Sequence, residues 1–501
     1  SLMIFNSLHF LIFLPVAIFC YFSINYKWRW LFLLFSSYYF YMSWKPEYAF
    51  LIVFSTTVDY ITANAMAKQS TRKGRRPFML ISLFSNLGLL FSFKYFNFFN
   101  DSARAVFDSF DIFYNVPEFN LFLPVGISFY TFQALSYTID VYRGEVKAEK
   151  HFGYFALFIS YWPQLVAGPI ERPGDLQPQL KSNFDFDYER TKKGLIRILY
   201  GFFKKSVIAD RLGIFVQAVY GQNDGMGGWT YPQFEHGGWP VVIATWFFAI
   251  QVYCDFSGYC DIAIGSAKIM GHNLTDNFRT PYFSKSIREF WERWHITLTV
   301  WVRDYLYIPL GGSRVSFGRM LFNNWFTLTV MGFWHGANWT YVMFGFIHGM
   351  FIVISRVRDK YMPKLVLKKM LPNMVWLTNI LLMFWIFNLT CIPDIFFRSN
   401  TVGDAWVTIG NMFKQSTMHE FMYNSTLRGA VPSIVEFWVS VVFIAILLFI
   451  DYNLYIRKSA TIEDQVAKRH WVLRWGYYIV FLVLVACFAV TTSSVFIYFA
   501  F

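Results

Sequence analysis

Charge is scarce in this sequence. Asp, Glu, Lys and Arg make up 15% of its 501 residues, against 56% hydrophobic and 22% aromatic residues. A water-soluble chain of this length would split into domains of mixed composition, and so little charge could not cover their surfaces. Cysteine is sparse as well. Cys20, Cys254, Cys260, Cys391 and Cys487 are scattered, mostly in apolar runs, and no pair has metal-ligand spacing on a polar loop. That argues against a disulfide framework and a zinc site. The eye finds no repeat of roughly 20–50 residues and no inverted pair of halves. Metal motifs, a Ser-His-Asp pattern and a phosphate-binding loop are missing too.

What is present is apolar sequence from end to end, including 60 Phe and 19 Trp. Runs of membrane-spanning length recur about ten to twelve times by the ~20-residue criterion. The clearest are 4–26, 28–44, 48–67, 78–98, 121–142, 239–254, 322–334, 339–354, 375–392, 433–451 and 475–499. The fold class is therefore an all-α polytopic membrane protein of about 11 spans. Runs as short as 322–334 point to broken or re-entrant helices, which survive only when packed inside protein or lining a cavity. Ser1 and Leu2 precede Met3 and read as a cloning scar, with 3–501 a single transmembrane domain. The first run has no basic leader and no small-residue cleavage site, so it reads as a retained span.

The formal net charge of +13 would raise nucleic-acid binding in a soluble protein. Here most of the excess lies in short loops, which fits membrane topology and makes the lipid bilayer the partner. The loop 68–77, KQSTRKGRRP, is basic without an acid and reads as cytoplasmic, which puts the N-terminus outside. The loop 99–120 is acidic, as an external loop would be. Residues 168–193 are rich in proline and charge and cannot span. In the segment that follows, Arg197, Lys204, Lys205 and Arg211 interleave with Leu, Ile and Phe. This reads as an amphipathic helix at the cytoplasmic interface, or else as a core helix with a solvated basic face.

Ionisable groups in spans are expensive, so each is a candidate site. Asp255 and Asp261 lie in VYCDFSGYCDIAIGSAK, 252–268, six residues apart and off a common helical face. They do not suit a paired acid and base; the favoured reading is structural, each bonded to backbone N–H groups or to an arginine. In IREFWERWHITLTVWVRDYLYIPLGGSR, 287–314, Glu292 and His295 are three apart and could meet on a helix, the carboxylate fixing the imidazole tautomer. The alternative is an interfacial helix of snorkelling side chains. In MGFWHGANWT, 331–340, Gly332 and Gly336 form a small-xxx-small pair that admits a neighbouring helix. His335 follows Trp334, adjoins Gly336, where little bulk would shield it, and has Asn338 three residues on. A buried, neutral imidazole there could take a proton from an alcohol or thiol or attack a thioester. The frame recurs in GFIHG, 345–349, around His348, so an interhelical hydrogen-bonding role stands beside the catalytic one.

Several ordered blocks resemble the membrane-bound O-acyltransferase family, in particular its bacterial branch of alginate and peptidoglycan O-acetyltransferase membrane subunits. They are FLPVGISFYTFQALSYTIDVYRG (122–144), QLVAGPIERP (164–173), YCDFSGYCDIAIG (253–265), FRTPYFSKSIREFWERWHITLTVWVRDYLYIPLGG (278–312), MGFWHGANWTYVMFGFIHG (331–349), IFFR (395–398) and FIYFAF (496–501). The resemblance implies a family core over about 121–350, followed by C-terminal helices over 375–501. It makes His335 the family's essential histidine, His295 its second position and Tyr498 a candidate acyl relay, or in plainer terms an interfacial aromatic anchor. Many relatives carry glutamine where this chain has Ala500. It also implies a central tunnel open to both membrane faces. No tightly bound cofactor is expected; acetyl-CoA or another acyl thioester is the donor, its phosphates drawn to basic groups near 192–211. An SGNH-type partner outside a bacterial inner membrane would pass the acyl group to an exported polysaccharide. Transport of an acyl-charged or lipid-linked intermediate, a non-catalytic scaffold and D-alanyl transfer to teichoic acid are the competing readings.

Overall fold

The computed structural model describes residues 3–119, 121, 123–166, 168–221, 237–362, 374–415, 434–458 and 461–490. All regular structure among them is helical. In chain order the helices are α1 (Leu8–Ser23), α2 (Tyr26–Met42), α3 (Tyr48–Ala67), α4 (Arg72–Leu90), α5 (Phe96–Ser109), α6 (Ile127–Arg143), α7 (Phe152–Ser160), α8 (Trp162–Leu165), α9 (Pro173–Lys181), α10 (Tyr188–Phe202), α11 (Asp210–Tyr220) and α12 (Trp239–Met270). They continue as α13 (Ile287–Arg293), α14 (Ile296–Val302), α15 (Phe317–His335), α16 (Trp339–Tyr361), α17 (Val375–Arg398), α18 (Val402–Asn411), α19 (Ile434–Ile456), α20 (Ile462–Ala467) and α21 (Trp471–Phe488). The chain forms two compact units: Ser1–Ile198 with Tyr259–Asp276, and Leu199–Gly258 with Asn277–Phe501.

Seven helices among the described residues are long and apolar enough to cross a membrane: α3, the continuous stretch Arg72–Ser109, α12, α16, α17, α19 and α21. Arg72–Ser109 joins α4 to α5 through a wide π-helical turn at Phe91–Tyr95. Phe84, Trp385 and Leu482 are 71%, 60% and 62% exposed. Large apolar groups facing outward on spanning helices are solvated by hydrocarbon, not water. The chain is thus a multi-pass membrane protein. Among the other runs read as spans from sequence, α1 and α2 have 16 and 17 residues, and the 17-residue α6 is buried along nearly its whole length.

In the first unit, α4 packs on α3 and α6, and α7 packs on α2, α3 and α9. Polar contacts hold this packing where lipid supplies no driving force. The buried Asp59 of α3 accepts hydrogen bonds from Ser82 Oγ at 2.5 Å and Asn86 Nδ2 at 2.8 Å on α4. Elsewhere, glycine brings backbones together. A Cβ on Gly194 would sit 2.7 Å from the Gly265 carbonyl oxygen. One turn along, Arg197 Nε reaches Asp261 at 2.6 Å and its Nη2 reaches Asp276 at 2.8 Å.

The basic stretch from Arg197 to Arg211 is therefore neither an interfacial helix nor a helix with a solvated basic face. Arg197, Lys204 and Lys205 are buried. Within the second unit, Lys205 Nζ pairs with Asp210 at 2.7 Å and Asp255 at 2.5 Å, Lys204 Nζ donates to Ser257 Oγ at 2.8 Å, and Arg211 pairs with Glu436. Cations neutralised by internal carboxylates can be buried; the helical spacing that suggested an exposed basic face carries no information about such partners. These groups are also committed to internal partners.

Candidate active site

The two histidines singled out by sequence come together in the second unit. His335 is the last residue of α15, and His295 stands between α13 and α14. Their ring centroids lie 6.3 Å apart. A hydrogen bond is about 2.8 Å long and a ring nitrogen lies roughly 1.2 Å from its centroid, so a single oxygen atom can bridge rings up to roughly 8 Å apart. The pair can thus act on one hydroxyl or carbonyl group. Aromatic rings enclose it. Phe344, Phe397 and Trp334 lie 5.8, 5.6 and 5.1 Å from His335, while Phe256 and Trp334 lie 4.7 and 6.1 Å from His295. His295 is fully buried and His335 is 5% exposed.

Close helix packing fixes His335. A Cβ on Gly332 would sit 2.6 Å from Gly345 Cα, and one on Gly349 would sit 2.9 Å from the Trp325 carbonyl oxygen. Only glycine lets α15 and α16 approach so far, which bears out the small-residue reading at Gly332. Gly336 behaves differently. Its missing side chain is replaced by the ring of Tyr341, so the space beside His335 is filled and is not an approach to it. Asn338 does not turn to His335 either: its Oδ1 caps α16 by accepting from Thr340 N, and its Nδ2 donates to the Asn400 carbonyl. Phe344 neighbours both histidines, its ring centroid 5.8 Å from that of His335 and 4.8 Å from that of His348.

His295 does not meet Glu292. Helix α13 ends at Arg293, and His295 itself takes a left-handed conformation with φ 44° and ψ 52°. This break removes the i,i+3 geometry that would have joined the two. Glu292 is exposed and pairs with Arg288 at 3.1 Å. A partner of His295 is Asn277, whose Oδ1 lies 3.2 Å from Nδ1. Nothing in the local spacing marks Asn277, because it reaches His295 by tertiary contact across 18 residues. Asp255 and Asp261 are both bound in ion pairs, as the structural reading had it, though the partner of Asp255 is a lysine. Tyr498 lies outside the described residues. Among the described residues, no group of three or more His, Cys, Asp or Glu side chains is placed to hold a metal ion.

Comparison with known proteins adds a family likeness. Residues 146–397 match the family model described as MBOAT, membrane-bound O-acyltransferase family. The chain is 34% identical over 472 residues to "Probable alginate O-acetylase AlgI" of Pseudomonas aeruginosa, covering 93% of this chain and 86% of that protein. The protein of the same name in Pseudomonas putida is 38% identical over 357 residues, 71% of each chain. "Peptidoglycan O-acetyltransferase" of Helicobacter pylori is 31% identical over 438 residues, 80% of this chain and 77% of that one.

Proposed function

Since the chain belongs to the membrane-bound O-acyltransferase family, we propose that this O-acyltransferase moves an acetyl group from a cytoplasmic thioester, acetyl-CoA, toward an exported polysaccharide of a bacterial cell envelope. The names of its relatives, which point to alginate and peptidoglycan, support acetyl as the group and a glycan as the final acceptor. The observation that carries the reading is the His295–His335 pair, 6.3 Å apart between centroids inside an aromatic enclosure. A donor from one membrane face and an acceptor from the other would meet there by way of a central tunnel, among broken helices of a bundle of about 11 spans.

In the proposed reaction His335 acts as general base. The acceptor oxygen forms a bond to the thioester carbonyl carbon as its O–H proton moves to the imidazole. The C–S bond then breaks with its electron pair on sulfur, and the thiolate takes up that proton. The donor leaves as the free thiol, its acetyl group now on the acceptor oxygen, and the histidine is regenerated. Positioning of both reactants and proton transfer to a placed base are sufficient physical sources of rate. Tyr498 is a candidate for the first hydroxyl acceptor, and an extracytoplasmic SGNH-type protein for the onward carrier.

Replacing His335 with Gln tests this. The expected result is a membrane-inserted protein at normal level and at least a 100-fold loss of alkali-releasable acetate on the exported polymer, the scale set by removing a positioned acid–base group. Normal acetylation by that variant ends the proposal. Transfer of labelled acetyl from acetyl-CoA onto the purified protein would further separate an enzyme from a transporter of a ready-made intermediate.

A further inference from the structure

The turn that carries His295 is held from one side by the segment Asn277–Arg279. The Asn277 carbonyl accepts from Ile296 N at 2.9 Å, and Arg279 N donates to the Arg293 carbonyl at 2.9 Å. The Asn277 side chain does more. Its Oδ1 accepts from Thr297 N at 3.1 Å and from Thr297 Oγ at 3.0 Å, and it lies 3.2 Å from His295 Nδ1. A backbone N–H is an obligatory donor, so the amide atom facing Thr297 N must be the oxygen; the flipped carboxamide would set NH₂ against N–H. An amide oxygen has no proton to give, so the nitrogen of His295 that faces it must carry the hydrogen. Asn277, Thr297 and His295 are all buried.

We infer that Asn277 is a positioning residue that fixes His295 as the Nδ1–H tautomer, leaving the ring's lone pair on Nε2. The inference rests on the acyltransferase reading for its catalytic meaning and deepens it by giving His295 one of two roles. A neutral ring in this tautomer receives a proton or a hydrogen bond at Nε2; it does not donate one there to a developing oxyanion. His295 therefore presents a lone pair, and not an N–H, to the reacting groups, which favours the His335 imidazolium formed when His335 takes the acceptor's single O–H proton in the step above.

Nitrogen NMR of the full-length protein labelled at histidine, with the His295 signals assigned by loss in His295→Gln, tests the tautomer whatever the protein's activity. A protonated Nδ1 and bare Nε2 are expected in the wild type, and a mixed or reversed tautomer in Asn277→Leu. Acetyl release from labelled acetyl-CoA, measured in membranes of the producing strain, tests the consequence. Asn277→Leu should lower kcat about 10–100-fold, the usual scale for losing a group that orients a reacting imidazole. Asn277→Asp keeps the acceptor oxygen, so it should retain the tautomer and recover activity. Its carboxylate would also stabilise the imidazolium and move the acidic limb of the pH–rate profile to higher pH. A merely structural Asn277 would leave that limb in place. A bare Nδ1 in the wild type, or wild-type turnover in a well-inserted Asn277→Leu, overturns the inference. Normal transfer by His335→Gln with the expected His295 tautomer would instead sink the acyltransfer chemistry and leave the tautomer assignment standing.

Discussion

Replacing Arg197 with Met removes a buried cation from between two carboxylates. The Arg197 and Asp261 side chains are 9% and 6% exposed, with Nε 2.6 Å from the carboxylate, whereas Asp276 is 25% exposed. Methionine keeps most of the apolar stem, so the cost comes mainly from stranding Asp261. Breaking a buried ion pair in this way costs about 3–5 kcal/mol. Asp276, with partial access to solvent, adds little to that. For a chain of this size each kcal/mol corresponds to roughly 1–2 °C in unfolding temperature, so a fall of about 3–10 °C is expected. Size-exclusion chromatography of the heated protein in detergent would measure it. The double variant Arg197→Met with Asp261→Leu removes both buried charges and should regain most of the loss, since an apolar replacement of a buried pair is often neutral. A single variant as stable as wild type, or a double variant as unstable as the single, refutes the reasoning. Recovery of stability without recovery of acetyl transfer would move Asp261 from scaffold to chemistry.

Two other substitutions bear on the site. Glu292→Gln removes only an exposed partner of Arg288, so stability should change by less than about 0.5 kcal/mol, and acetylation of the exported polymer should be unchanged. Gly332→Val would drive side-chain atoms into the Gly345 backbone, where even a Cβ would lie 2.6 Å away. Overpacking of that kind costs about 1–3 kcal/mol or more and should cut acetyl transfer at least 10-fold by displacing His335, read from thermal stability and polymer acetate together.

The parts of this molecule legible in its sequence are those governed by local spacing. The run 48–67 coincides with α3, and the Gly332 frame anticipated the approach of α15 to α16. Periodicity alone also kept Asp255 and Asp261 off a common face, and each has its own cationic partner. Both histidines could be named as candidates because ionisable groups are costly in apolar sequence. What failed depended on partners distant in the chain. Arg197, Lys204 and Lys205 looked like a wet face because, Asp210 apart, the carboxylates and hydroxyl that bury them lie on other segments. Glu292 looked like the histidine's partner because a helix was assumed to continue past Arg293, where it ends. Gly336 looked open because Tyr341, which fills it, comes from the following helix.

Holding residue 295 at φ 44° also restricts what can stand there. Glycine enters that region without penalty, Asn and Asp with little, and branched side chains only under strain. A valine introduced at this site would confound two injuries, a missing ring and a distorted chain path. Comparisons drawn within the Gly, Asn and Asp set keep those injuries apart, and drift at this position would be channelled along the same narrow set.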